Sequence, residues 1–111
     1  NSSYTADQFD HTILFTGAFS SGQTKYLNLP SSPQKGQEYK VLVPHRYTGT
    51  DKKASHFRVR AKTQFKCVHN GNVKTEHDGT YYYIDWEEQT VAVELIYDGT
   101  YWYYFYNSWT A

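Results

Sequence analysis

Methionine is absent from this chain, and cysteine occurs once, at Cys67. A lone cysteine forms no internal disulfide, which excludes a small scaffold built on bridges. The absence of any methionine, an initiator included, reads as a mature or excised piece of a longer protein. No apolar run is long enough to cross a membrane as a helix, and no charged-then-apolar leader opens the chain. Membrane insertion is therefore not expected. Helical periodicity is missing as well: no long stretch repeats apolar residues at three- and four-residue spacing. The common catalytic signatures do not occur either, neither the G-x-S-x-G elbow nor the P-loop, the Rossmann glycines or H-E-x-x-H. No catalytic residue, cofactor or metal is expected.

What the chain has is aromatic residues. They make up 19% of its 111 residues, with 12 Tyr and 3 Trp. That length makes one domain the default. Short runs rich in β-formers alternate with turn residues, the pattern of an all-β chain. The runs fall at 12–16, 24–29, 38–43, 56–68, 72–76, 80–86, 90–97 and 101–106. An antiparallel β-sandwich or jelly-roll-like domain over residues 11–111 is the expectation. Residues 1–10 are polar and read as an N-terminal arm or linker.

Three dipeptides, Asn70-Gly71, Asp78-Gly79 and Asp98-Gly99, supply the positive φ that tight turns need. HDGTYYYIDW at 77–86 echoes YDGTYWYYFY at 97–106, which reads as one turn chemistry used twice. HRYTGTDKKAS at 45–55 is the longest irregular stretch and the best candidate for an exposed loop.

The charges balance, 11 against 11, but they are segregated. All the basic residues lie between Lys25 and Lys74, opposed there only by Glu38 and Asp51. From Glu76 onward there are seven acids and no Lys or Arg. Within 56–68, Phe57, Val59, Ala61, Phe65 and Cys67 share one parity, and Arg58, Arg60, Lys62 and Lys66 the other. Period two puts the first set inward and the basic set outward. A run this long is expected to bend or bulge. Glu94 is the expected cross-sheet partner of Arg58 or Arg60.

The chemistry is weighed on these residues. Cys67 and His69 share a face, as a nucleophilic pair would, but Cys67 continues an apolar face and reads as a buried thiol. His45, His56 and His77 lack metal-ligand spacing. Asp85, Glu87 and Glu88 offer a carboxylate pair, and a solvated turn accounts for them. The basic stripe with its aromatics suits a single-stranded nucleic-acid barrel, yet the neutral chain argues against nucleic acid as a partner. Exposed Tyr and Trp suit saccharides, whose C–H faces stack on flat rings; Trp86, Trp102 and Trp109 are such rings. Strand 101–106 is aromatic on both faces, with Tyr101, Tyr103 and Phe105 opposite Trp102, Tyr104 and Tyr106. One face fits the chain's own core. The other, taken as Trp102, Tyr104 and Tyr106, is expected to meet a second subunit.

TVAVELIYDGTYWYYFY (90–106), YLNLPSSPQKGQEYKVLV (26–43) and TILFTG together resemble the tip domains of bacteriophage tail and head fibres. The chain departs from that pattern in its aromatics after Trp102, and residues 45–85 carry no part of it. The resemblance implies a compact β-sandwich or jelly-roll, assembled as a homotrimer at the extracellular tip of a virion appendage. It also implies a host receptor as partner, commonly a glycan. It carries over no binding residue. The candidate ligand contacts are Arg46, Tyr47, Lys52 and Lys53 in the long loop and His77, Asp78 and Tyr81 at the first Asp-Gly turn. The expectation is thus a non-enzymatic, saccharide-recognising fibre tip. Its alternatives are a monomeric carbohydrate-binding module of a secreted enzyme and a nucleic-acid-binding barrel.

Overall fold

The computed structural model describes residues 3–44, 55–68 and 76–110. Among them are ten strands and no helix. They are β1 (Ser3–Thr5), β2 (Thr12–Leu14), β3 (Thr24–Asn28), β4 (Glu38–Val43), β5 (His56–Ala61), β6 (Phe65–Cys67), β7 (Glu76–His77), β8 (Tyr82–Glu87), β9 (Gln89–Tyr97) and β10 (Trp102–Thr110). The first sheet has the order β1-β3-β5-β8-β7 and the second β2-β4-β9-β10-β6. The chain is an all-β sandwich.

Both sheets are mixed, where an antiparallel sandwich was expected. From β1 to β6 the chain changes sheet at every strand. A strand that returns after such a crossing runs parallel to its predecessor, since a parallel pair needs a crossover and a hairpin makes an antiparallel one. Hence β1/β3, β3/β5 and β2/β4 are parallel. The true hairpins, β7/β8 and β9/β10, are antiparallel.

Alternation drives the layers together. Lys25, Leu27, Tyr39, Val41, Val43, Phe57, Val59, Ala61, Val91, Val93 and Leu95 face inward and are buried, while their neighbours face out. The 56–68 run keeps its parity but not its continuity. It breaks at residues 62–64 and changes sheet, so Phe57, Val59 and Ala61 enter the core from one side and Phe65 and Cys67 from the other. Between β8 and β9 the chain turns the corner on Glu88 alone, at φ 52°, with its N–H donating to Ser55 O at 2.9 Å.

Three expectations are corrected. Residues 1–10 are not a free arm. Ser3–Thr5 pairs with β3, Ala6 N–H donates to Asn28 O at 2.9 Å, and Ala6 is buried. The small Ala6 fits under the sandwich edge, and Tyr39 reaches it from the second sheet, its hydroxyl donating to Asp7 O at 2.8 Å. Glu94 is not the partner of Arg58 or Arg60, because it lies in the other sheet, opposite Lys40 and Phe105. Trp102 and Tyr104 are not a subunit seam. The first sheet covers them, leaving 0% and 2% of their surface exposed. Tyr106, half-buried, stacks its ring 6.1 Å from Tyr104 and meets Trp86 edge-on at 5.4 Å. The outward face of β10 is the Tyr103–Phe105–Trp109 side.

Candidate functional site

The outer face of the first sheet is a grid set by strand register. Across β3, β5 and β8 its rows read Thr24–His56–Glu87, Tyr26–Arg58–Asp85 and Asn28–Arg60–Tyr83. All are polar, charged or tyrosine residues, because this parity of each strand is the one that leaves the core.

The two arginines differ. Arg58 is neutralised: its Nε donates to Asp85 Oδ1 at 2.9 Å, and its guanidinium lies 4.7 Å from the Tyr83 ring centre. Burial alone would lower its pKa, but the Asp85 hydrogen bond and charge outweigh burial and raise it. Arg60 has no carboxylate within ion-pair distance among the described residues. Its Nε donates to Asn28 Oδ1 at 2.8 Å. Its guanidinium sits 3.8 Å from the Tyr26 ring centre and 4.8 Å from that of Tyr81. Lys62 Nζ lies 4.3 Å from the same Tyr81 ring.

One group on this face has metal-like composition. Donor atoms of His56, Asp85 and Glu87 lie within 4.8 Å of one another. His56 Nδ1 is 3.0 Å from Asp85 Oδ1, the atom that also accepts from Arg58. Asp85 is already neutralised by the Arg58 guanidinium, so an ion-pair network describes these groups better.

Tyr81 reaches Arg60 because of the turn before it. In Asp78-Gly79-Thr80-Tyr81, Asp78 Oδ1 accepts the N–H groups of Thr80 and Tyr81, at 2.9 and 2.7 Å. Asp78 N–H donates to Tyr81 O at 3.0 Å. Asp98-Gly99-Thr100-Tyr101 repeats the arrangement, both side-chain bonds at 2.7 Å and the backbone bond at 3.1 Å. The glycines take φ 94° and 102°, a region that penalises any Cβ. These backbone hydrogen bonds lower the pKa of both Asp78 and Asp98. Each turn also delivers its tyrosine onto cations on or just beyond a neighbouring strand. Tyr81 meets Arg60 and Lys62, and Tyr101 meets Lys66 at 4.5 Å.

The outer face of the second sheet is different. Leu14, Leu42, Val68, Ile96, Phe105 and Trp109 are all exposed there. Between them run two shallow depressions of about 290 and 260 Å³, both touching Lys40, Glu94 and Phe105. Its charges are balanced: Glu38 and Glu94 against Lys40 and Lys66, with Lys40 and Glu94 direct strand partners.

A third feature was not expected. At the open edges of both sheets, β1 and β2 border a cleft of about 470 Å³ lined by Tyr4, Asp10, Phe15 and Lys25. Lys25 is 5% exposed, its Nζ donating to the carbonyls of Gly17 and Ala18 at 3.1 and 3.3 Å. Burial lowers its pKa. The signal was present in the sequence, since Lys25 shares the inward parity of Leu27 and Leu29.

Of the nominated ligand contacts, Tyr81 lies on the first-sheet face. Asp78 and His77 serve the turn, His77 Nδ1 accepting Gly79 N–H at 3.2 Å and its ring meeting Tyr82 at 4.4 Å. Arg46, Tyr47, Lys52 and Lys53 lie outside the described residues, as does His69. Cys67 is buried. The basic stripe is divided, with Arg58 and Arg60 on the first sheet and Lys66 on the second. Tyr26 and Asn28, which complete the Arg60 setting, were not singled out; their outward parity on β3 was the available signal. No protein-family model matches the chain, and neither a curated protein nor a solved structure matches it.

Proposed function

We propose that this domain is a non-enzymatic recognition module of a homo-oligomeric fibre tip. The second sheet's outer face seats another copy of the chain, and the first sheet's outer face meets a host-surface saccharide. One observation carries the reading: the two outer faces are unlike. Six large apolar side chains are exposed on the second face, while the first displays tyrosine rings and hydrogen-bonding groups. A sheet face with this many exposed large apolar side chains favours a partner surface. Equal and interleaved charges suit a second copy better than a partner of one sign. Tyrosine rings beside Asn, Arg and Asp suit a pyranose, whose C–H face stacks while its hydroxyls bond. The burial of Cys67 favours a binding role over a thiol nucleophile. The virion location and the trimer remain what the fibre-tip resemblance adds.

A glycan microarray tests the recognition half. The labelled protein is expected to retain spotted saccharides and Tyr83→Ala to lose them. No saccharide retained at micromolar protein would overturn it.

A further inference from the structure

The first-sheet face has one feature that neutral sugar binding does not require. Arg60 is a cation held in place with no ionic partner among the described residues. Neighbours on both sides fix it. Asn28 on β3 takes its Nε, and Asn28 Nδ2 reaches Thr5 Oγ1 on β1 at 3.4 Å. Tyr26 on β3 and Tyr81 in the turn leading into β8 lie 3.8 and 4.8 Å from the guanidinium. Only Nε is used, so the Nη pair has no hydrogen-bond partner among the described residues. Lys62 adds a second positive charge at the Tyr81 ring.

Asp78 is near enough to Arg60 for a coulombic interaction, but among the described residues no acid reaches it at ion-pair distance. Asp78 spends one carboxylate oxygen on the N–H groups of Thr80 and Tyr81. Glu76 lies 3.4 Å from the Tyr83 hydroxyl. Asp85 is engaged by Arg58 and His56. Arg58, two residues away on the same face, shows what a charge-satisfied arginine looks like on this sheet.

We infer that Arg60, with Lys62 and the Tyr26 and Tyr81 rings, forms an anion site for the carboxylate of an acidic saccharide. The planar guanidinium fork matches a carboxylate with two parallel N–H···O bonds. Its orientation is fixed before the ligand arrives, which lowers the ordering cost of binding. A ring of the same sugar has Tyr81 or Tyr83 to stack on. The inference rests on the reading of this face as saccharide-binding and names the class of sugar.

The test is a titration of the full chain followed by NMR and calorimetry. The probes are trigalacturonate, its methyl ester, sialyllactose, inorganic sulfate and an oligothymidylate. At least one of the two carboxylated saccharides is expected to bind and to shift the resonances of Tyr26, Arg60 and Tyr81. For trigalacturonate the methyl ester is expected to bind about tenfold more weakly or not at all. Arg60→Gln is expected to lose about tenfold in affinity, Arg60→Lys to recover only part, and Arg58→Gln to lose much less. The amide spectrum of each variant checks that it is folded. Equal binding of ester and acid would overturn the anion site while leaving saccharide recognition standing. Tighter binding of oligothymidylate than of either saccharide would overturn both. Binding of sulfate alone, or no shift at these residues with any probe, would overturn the inference.

Discussion

The guanidinium of Arg60 lies 3.8 Å from the ring centre of Tyr26, although Tyr26 registers with Arg58 and not with Arg60. The side chains therefore meet on the diagonal across β3 and β5, which long and aromatic residues can span. That leaves Asp85 to Arg58 and the ring to Arg60. Replacing Tyr26 by Leu keeps apolar bulk and removes the π-face. It is expected to cost about 0.5–1 kcal/mol of stability. In a double-mutant cycle by urea unfolding, Arg60→Met should then add less than it does alone. Additive effects would show that the pair is not coupled.

Neighbouring residues of β10 are expected to separate stability from assembly. Trp102 is fully buried, so Trp102→Ala should cost about 3–5 kcal/mol. Its indole N–H has no hydrogen-bond partner among the described residues, so Trp102→Phe should cost clearly less. Phe105 points outward and is 46% exposed. Phe105→Ser should change stability by about 0.5 kcal/mol or less while weakening self-association. Denaturant unfolding on the monomeric fraction reads the first effect and light scattering the second.

The turn after β9 offers a sharp backbone test. Gly99 sits at φ 102°, so Gly99→Ala should destabilise by about 1–2 kcal/mol. Asp98→Ala should lower the melting temperature at neutral pH, and Asp98→Asn should do so less because it keeps an acceptor. The Asp98 pKa is lowered in the fold by the N–H groups of Tyr101 and Thr100. Its contribution is therefore present above the ordinary carboxylate pKa and fades as pH falls through the lowered one. The gap between wild type and Asp98→Ala should close in acid, as followed by thermal melts across pH.

Alkaline stability is governed by tyrosines inside the sandwich. Burial pushes the Tyr39 hydroxyl up to about 12, and burial raises Tyr104 as well. A raised folded-state value means stability that is complete below pH 10 and falls as the pH climbs from about 10 to about 12. A spectrophotometric tyrosinate titration should show Tyr39 and Tyr104 ionising only together with unfolding. Tyr39→Phe should reduce the slope of stability against pH in this window. A single smooth titration of all tyrosines without unfolding would contradict the burial of Tyr39 and Tyr104.

Much of the fold was legible because period two is a strong signal. The inward parity of Phe57, Val59 and Ala61, the span of β4 and the Asp98-Gly99 hairpin all follow from side-chain alternation and turn chemistry. Sheet membership was not legible. Nothing local in residues 56–68 says that the chain changes sheet near Thr63, because inward parity is the same on either wall of a sandwich. The same degeneracy misassigned β10, since two aromatic faces look alike until the strand order shows that Trp102 meets Trp86's sheet and Phe105 does not. Residues that act diagonally, Tyr26 with Arg60, depend on strand neighbours that sequence spacing does not encode. Lys25 could have been noticed, being a cation on an apolar parity.

The division between the two faces is tested most directly by sedimentation velocity on three samples: wild type, Phe105→Glu and Arg60→Gln. Wild type is expected to sediment as an oligomer, Phe105→Glu as a folded monomer, and Arg60→Gln as the same oligomer as wild type. A monomeric wild type at micromolar concentration, or an assembly that survives Phe105→Glu but dissociates with Arg60→Gln, would contradict it.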